Sequence, residues 1–194
     1  MRVAIIKYGA GNVLSVANAL ARLNIESVVT DQSEEIKAAD KVIFPGVGEA
    51  SSAMNQLEEN GLDDVIRSLT QPVLGVCLGM QLLCGTSEEN EARCIGIFGH
   101  RVSRFAEKDG KVPHMGWNRI GALKGPLFEN IAPGSRVYFA HSYFVRPGKN
   151  SIATSDYGRE FSAAIAKDNF FGVQFHPEKS GPVGMSILKN FLSL

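Results

Sequence analysis

The chain carries no surplus charge of either sign: twenty lysines and arginines balance twenty aspartates and glutamates over 194 residues. A surface built for a nucleic-acid backbone or an anionic membrane needs a basic excess, so both partner classes are set aside. Cysteine is scarce too. Cys77, Cys84 and Cys94 are odd in number and lack zinc-type spacing. That excludes a disulfide framework, gives no metal site and points to a reducing, cytoplasmic setting. No apolar run approaches the roughly 18 residues of a membrane span. Met1-Arg2-Val3-Ala4-Ile5-Ile6-Lys7 has too short an apolar core for a signal peptide and reads as a first strand. Repeats, low-complexity tracts and linkers are missing as well. What remains is one ordinary globular domain over residues 1–194, able to bury roughly 70% of its unfolded surface.

What is present is alternation. Arg2 to Tyr8 reads as a strand, Gly9-Ala10-Gly11-Asn12 as a turn, and Val13, Val16, Ala17, Leu20 and Leu23 recur at helical spacing. Strands follow at Ser27–Thr30 and Lys41–Phe44, the latter ending in Pro45-Gly46-Val47-Gly48. Between and beyond them lie a brief helical piece at 36–39 and helices around 50–59 and 62–69. Such alternation implies an α/β fold, a largely parallel sheet with helices on both faces. In the second half His100–Phe105, Lys111–Met115, Arg136–Ala140, Ser162–Ala166 and Phe170–Phe175 read as strands with short turns. They are expected to extend the sheet in antiparallel fashion, before a terminal helix over Val183–Leu192. Gly9 and Gly11 begin a G-x-G pattern, but Leu14 stands where a third glycine belongs, so a dinucleotide site is rejected. The turn still places Asn12 at the carboxyl edge of the sheet.

The chain is organised around Pro72-Val73-Leu74-Gly75-Val76-Cys77-Leu78-Gly79-Met80-Gln81. An apolar strand stops at a cysteine with glycines two residues before and after it, and a buried helix begins at once. This is the pattern of a nucleophile elbow with Cys in place of Ser. At a helix N-terminus the free N–H groups favour thiolate and can hold an oxyanion. The plainer reading is a buried structural cysteine, and Cys84 is read that way. Cysteine chemistry needs a base and a group to orient it. Of His100, His114, His141 and His176, only the last has a suitable neighbour, in His176-Pro177-Glu178. Pro177 favours extended geometry at His176. Residues two apart in an extended segment share a side, about 6.6 Å apart, so Glu178 is expected to reach back to the ring. Leu78 N–H is the first oxyanion donor, and the Pro45–Gly48 loop could supply a second.

Cys77 in its elbow, His176-Pro177-Glu178 and Pro45-Gly46-Val47-Gly48 together resemble the class I, triad-type glutamine amidotransferases, over almost the whole chain. The resemblance is closest to the branch of that family serving histidine biosynthesis. Lys111-Val112-Pro113-His114-Met115-Gly116-Trp117-Asn118 discriminates best, supported by Tyr8-Gly9-Ala10-Gly11-Asn12 and Phe139-Ala140-His141-Ser142-Tyr143. One departure is Ile97-Phe98-Gly99-His100, where relatives usually read Ile-Pro-Gly. The resemblance implies a flavodoxin-like fold and hydrolysis of L-glutamine to glutamate and ammonia, without a cofactor. It gives Cys77 the attack on the amide, His176 the proton transfers and Glu178 the orientation of His176. Leu78 and Val47 would supply oxyanion N–H groups. Gly46, Gly48, Gln81, Ser142 and Tyr143 would hold the glutamine. It also implies a heterodimer with a (β/α)8-barrel cyclase that receives the ammonia, contacted by Asn12, Met115, Trp117, Tyr138 and Lys179. A cysteine hydrolase acting alone, the glutaminase of another pathway and a silent glutamine sensor are the competing readings.

Overall fold

Apolar runs separated by helical stretches can bury themselves only by pairing side by side under those helices. The computed structural model describes residues 1–9 and 12–194. In its first half β1 (Val3–Ile6), β2 (Ser27–Thr30), β3 (Lys41–Gly46) and β4 (Val73–Cys77) alternate with helices. These are α1 (Val13–Arg22), α2 (Ser33–Lys37), α3 (Ala50–Glu59), α4 (Leu62–Ser68) and α5 (Leu78–Leu82). The helix starts are marked locally. The Asn12 side chain accepts from Ser15 N–H at the head of α1, and the Glu49 carboxylate takes the Ser51 and Ser52 N–H groups at the head of α3. The second half adds β5 (Thr86–Ser87), β6 (Arg101–Arg104), β7 (His114–Arg119), β8 (Arg136–His141) and β9 (Tyr143–Val145). It closes with β10 (Ser151–Asp156), β11 (Glu160–Lys167), β12 (Phe170–Val173) and α6 (Gly181–Leu192).

The main sheet has seven strands in the order β10-β11-β12-β4-β3-β1-β2. From β12 to β2 every pairing is parallel, and β11 and β10 join antiparallel at one edge. Successive residues of β1 feed opposite faces. Ala4 and Ile6 pack with α2 to α5, whereas Val3 and Ile5 pack with α1 and α6. Strand β4 is buried at all five positions, which is why its sequence is apolar without alternation.

The antiparallel extension is smaller than the sequence suggests. Ser162–Ala166 lies in β11 and Phe170–Phe175 supplies β12, but the other expected strands leave the main sheet. His100–Phe105 yields β6 of a three-stranded sheet, β5-β6-β9, and Arg136–Ala140 yields β8 of a two-stranded one, β7-β8. The strand expected over Lys111–Met115 begins instead at His114 and runs to Arg119. Pro113 has no N–H for a ladder. From His114 onward, buried and more exposed residues alternate as a pleat requires. The short β9 and the polar β10 carry too little apolar pattern to be read from sequence. Phe98, in the segment that departs from the expected family pattern, is fully buried in the core beside α5. The expected Gly9–Asn12 turn includes Ala10 and Gly11, which lie outside the described residues.

Candidate active site

Strands β12, β4 and β3 are neighbours in the middle of the sheet, so whatever follows each of them meets at one carboxyl edge. Cys77 ends β4, Gly46 ends β3 as its register partner, and His176 follows β12 by three residues. The turn at Cys77 is as tight as the sequence implies. Its backbone has φ 55° and ψ −109°, outside every region a side-chain-bearing residue ordinarily visits. Such strain, about 1–3 kcal/mol, persists because both flanks are locked: all of β4 and all of α5 are buried. The glycines permit the approach. A β-carbon on Gly75 would stand 2.8 Å from Met80 N and 2.9 Å from Gly79 C. One on Gly46 would stand 2.6 Å from Gly79 N.

His176 Nδ1 lies 2.8 Å from Glu178 Oε1, and both side chains are almost wholly buried. The contact is made differently from expected. Pro177–Lys179 form a 3-10 turn rather than a continued extended segment. Pro177 holds a turn-compatible φ, and the turn swings the carboxylate back under the ring. Nδ1–H donates to Glu178, which leaves Nε2 free for the Cys77 side. Burial pushes the imidazole pKa down. The interactions with Cys77 and Glu178 outweigh it, raising the pKa to about 10. The Cys77 sulfur lies 3.7 Å from the Ala140 carbonyl and 3.9 Å from Gln174 Nε2.

These groups open into a cavity of about 310 Å³. Val47, Gly48, Cys77, Leu78, Gln81 and Tyr143 are among its walls, with Ser142, Met115, His176 and Lys179 also at its surface. Leu78 opens α5, so its N–H is among the free donors of a first helical turn. Gly46 does not line the cavity; it is packed beneath, against Gly79, Leu78 and Tyr8. Gln81 faces inward and is pinned, with Nε2 donating to the Tyr143 carbonyl and to Gln174 Oε1, both at 3.0 Å. Met115, at the cavity surface, and Trp117, two residues on along the same face of β7, are exposed, 64% and 48% respectively. Trp117 pairs across the ladder with Tyr138, ring edge to face at 6.2 Å. Asn12 lies at the head of α1, off the cavity wall.

Sequence reasoning passed over three residues. Glu89 lines the cavity and accepts the Ala50 N–H at 2.7 Å, but it sits in a run of acids that reads as a solvated loop. Burial and the nearby Glu49 hold its carboxyl above the usual range against the Ala50 bond. Gln174, fully buried, reads as a strand residue until its bond to Gln81 is seen. Ser180 ties His176 to β8: its hydroxyl donates to the His176 carbonyl at 2.6 Å and accepts from Tyr138 N–H at 2.9 Å. Nothing in the sequence distinguishes that serine from a loop residue.

A parallel sheet with a cysteine elbow, an acid-held histidine and a glycine loop at one edge defines a class. The chain belongs to the class I glutamine amidotransferase family, whose family model, Glutamine amidotransferase class-I, matches residues 4–194. Its relatives narrow this to one kind. The protein named imidazole glycerol phosphate synthase subunit HisH in Bacteroides fragilis is 57% identical over 196 residues, covering 100% of both chains. The subunit of the same name in Haemophilus influenzae is 47% identical over 193 residues, covering 99% of this chain and 97% of its own. Among solved structures, a glutamine amidotransferase superposes with a TM-score of 0.77 at 20% identity, covering 98% of this chain and 97% of that one. Another, from Thermotoga maritima, gives 0.65 at 17% identity over 100% of this chain and 83% of its own. At those identities the two structures speak for the fold alone.

Proposed function

We propose that this chain is the glutaminase half of an imidazole glycerol phosphate synthase. It hydrolyses L-glutamine and hands ammonia to a separate cyclase of (β/α)8-barrel form, in the cytoplasm. The observation that carries the reading is the Glu178-held ring of His176 and the elbow cysteine Cys77 meeting at the wall of one cavity. The cavity sits at the small end of ligand pockets, ~300–1,000 Å³, which suits one amino acid better than a peptide.

The chemistry follows from the protons. With His176 charged, Cys77 attacks the side-chain amide carbon of glutamine as thiolate. The amide oxygen takes the negative charge, held by Leu78 N–H and by Val47 N–H from the loop opposite. The C–N bond breaks as His176 Nε2–H protonates the leaving nitrogen, giving ammonia and a glutamyl thioester. Now neutral, His176 takes a proton from water, which attacks the thioester and releases glutamate. Glu178 keeps Nδ1–H in place throughout and balances the ring's charge. Gln81, Ser142, Tyr143 and Gly48 contact the amino acid, with Gly46 setting the loop from below, and the Glu89 carboxylate faces its ammonium group. Ammonia loses its nucleophilicity once protonated in water, so a sealed path to the partner serves the second reaction. Exposed Met115 and Trp117, with Tyr138, Lys179 and Asn12 on the same side of the sheet, form the docking face.

Ammonia release from glutamine, measured with and without the cyclase and its nucleotide ligand, tests the reading. Release should be feeble for the isolated chain and rise sharply in the complex; equal, rapid release in both would favour a hydrolase acting alone. Cys77→Ala should abolish glutamine use in the complex and leave the ammonium-dependent reaction intact.

A further inference from the structure

His114 and His141 are buried histidines that the reaction above leaves unused. They are register partners across β7 and β8, with His114 Nδ1 3.0 Å from His141 Nε2. The surrounding groups admit one consistent set of protons. His141 Nδ1 lies 2.7 Å from the Tyr143 carbonyl, which can only accept, so that nitrogen carries a hydrogen. His141 Nε2 is then the lone pair of a neutral ring, and His114 Nδ1–H donates to it. His114 Nε2 is left to accept from Asn118 Nδ2 at 3.4 Å. The orientation of that amide is set independently. Asn118 Nδ2 also donates to the Asp156 carbonyl at 2.8 Å, and its Oδ1 accepts Arg119 N–H at 2.8 Å.

The environment keeps the pair uncharged. Rings of Phe105, Phe139, Tyr157 and Phe161 enclose it. Burial lowers His114 to about 4. Burial also lowers His141 to about 3, against its bond to Tyr143 and with added repulsion from His114 and His176. Those two rings are the titratable groups that face His141.

The chain of bonds ends where the site begins. The Tyr143 carbonyl also receives Gln81 Nε2, and Gln81 holds Gln174 beside the Cys77 sulfur. Ala140, the residue before His141, presents the carbonyl 3.7 Å from that sulfur. At the other end, His114 and Asn118 lie on the inner face of β7, whose outer face carries exposed Met115 and Trp117. We propose that His114 and His141 are a neutral positioning pair that sets the Ala140–Tyr143 main chain, and so the glutamine pocket, from the strand that bears the docking face. The inference rests on the glutaminase reading and adds two positioning residues to it.

Two substitutions at one site separate positioning from mere packing. His141→Phe keeps the ring volume and removes both polar atoms. His141→Asn puts an amide N–H where Nδ1–H stands and keeps the bond to the Tyr143 carbonyl. In the complex, His141→Phe should raise KM for glutamine about tenfold, the effect of losing one of the two hydrogen bonds that fix the Tyr143 carbonyl, with kcat within about threefold. His141→Asn should restore KM to within about threefold of the parent. An unchanged KM in the Phe variant, or equal loss in both variants, would overturn the pair's positioning role. A second arm needs neither variant nor partner: 15N spectra of histidine-labelled chain should show both rings as uncharged Nδ1–H tautomers from about pH 5 to 9. Charging of either ring near its ordinary pKa would overturn the proposal even if glutamine turnover is normal. A parent complex that ignores glutamine while the spectra match would sink the glutaminase reading instead.

Discussion

Gly79 and Phe44 touch through bare backbone: a β-carbon on Gly79 would fall inside the Phe44 carbonyl oxygen. That contact lets α5 press against β3, and so brings the first turn after Cys77 up to the Pro45–Gly48 segment. Gly79→Ala should cost about 1–3 kcal/mol of stability through overpacking. It should also remove glutamine turnover almost entirely, because the elbow is displaced. Urea midpoints and ammonia release check both halves; a stable, active variant would mean that the elbow tolerates slack.

The state of His176 gives a pH signature. Its pKa is raised from 6.5 to about 10, so its charged form stabilises the fold fully below pH 6.5. That contribution drains away as pH climbs toward 10. The Glu178 bond and charge favour the imidazolium, so Glu178→Gln should move the titration downward. NMR titration of the ring in both proteins settles it. A parent midpoint near 6.5 would contradict the coupling of His176 to Cys77 and Glu178.

Glu89 offers a split between binding and chemistry. Glu89→Gln keeps an acceptor for Ala50 N–H, so the fold should be unaffected, while the charge proposed to face the substrate ammonium is lost. A charged hydrogen bond contributes about 1.5–3 kcal/mol. KM for glutamine should rise by about tenfold or more, with kcat little changed. Steady-state kinetics in the complex decide, and a fall confined to kcat would count against the assignment.

Trp117 is nearly half exposed and rests on Tyr138. Trp117→Ala should leave the isolated chain within about 0.5 kcal/mol of the parent. Its affinity for the cyclase should fall by about tenfold or more, as for an aromatic interface anchor. Calorimetry of the pair and thermal unfolding of the single chain separate the two effects.

Local pattern alone determined much of this protein. The buried run ending at Cys77, the glycines at 75 and 79 and the alternation of the first half specify a parallel sheet with a sharp turn at its centre. The spacing of His176 and Glu178 marked a histidine with a carboxylate in reach, because residues two apart lie close to one another in almost any backbone. Tertiary structure decided what lies far apart in the chain. It set β12 beside β4, which brings His176 to Cys77, and folded the Glu49–Asn90 region over so that an acid from a charged loop entered the cavity. It also paired β7 with β8 away from the main sheet and closed two distant histidines into one proton order. Hydrophobic period reports which way a side chain faces, but pairing between strands many residues apart is chosen by packing that no local stretch contains.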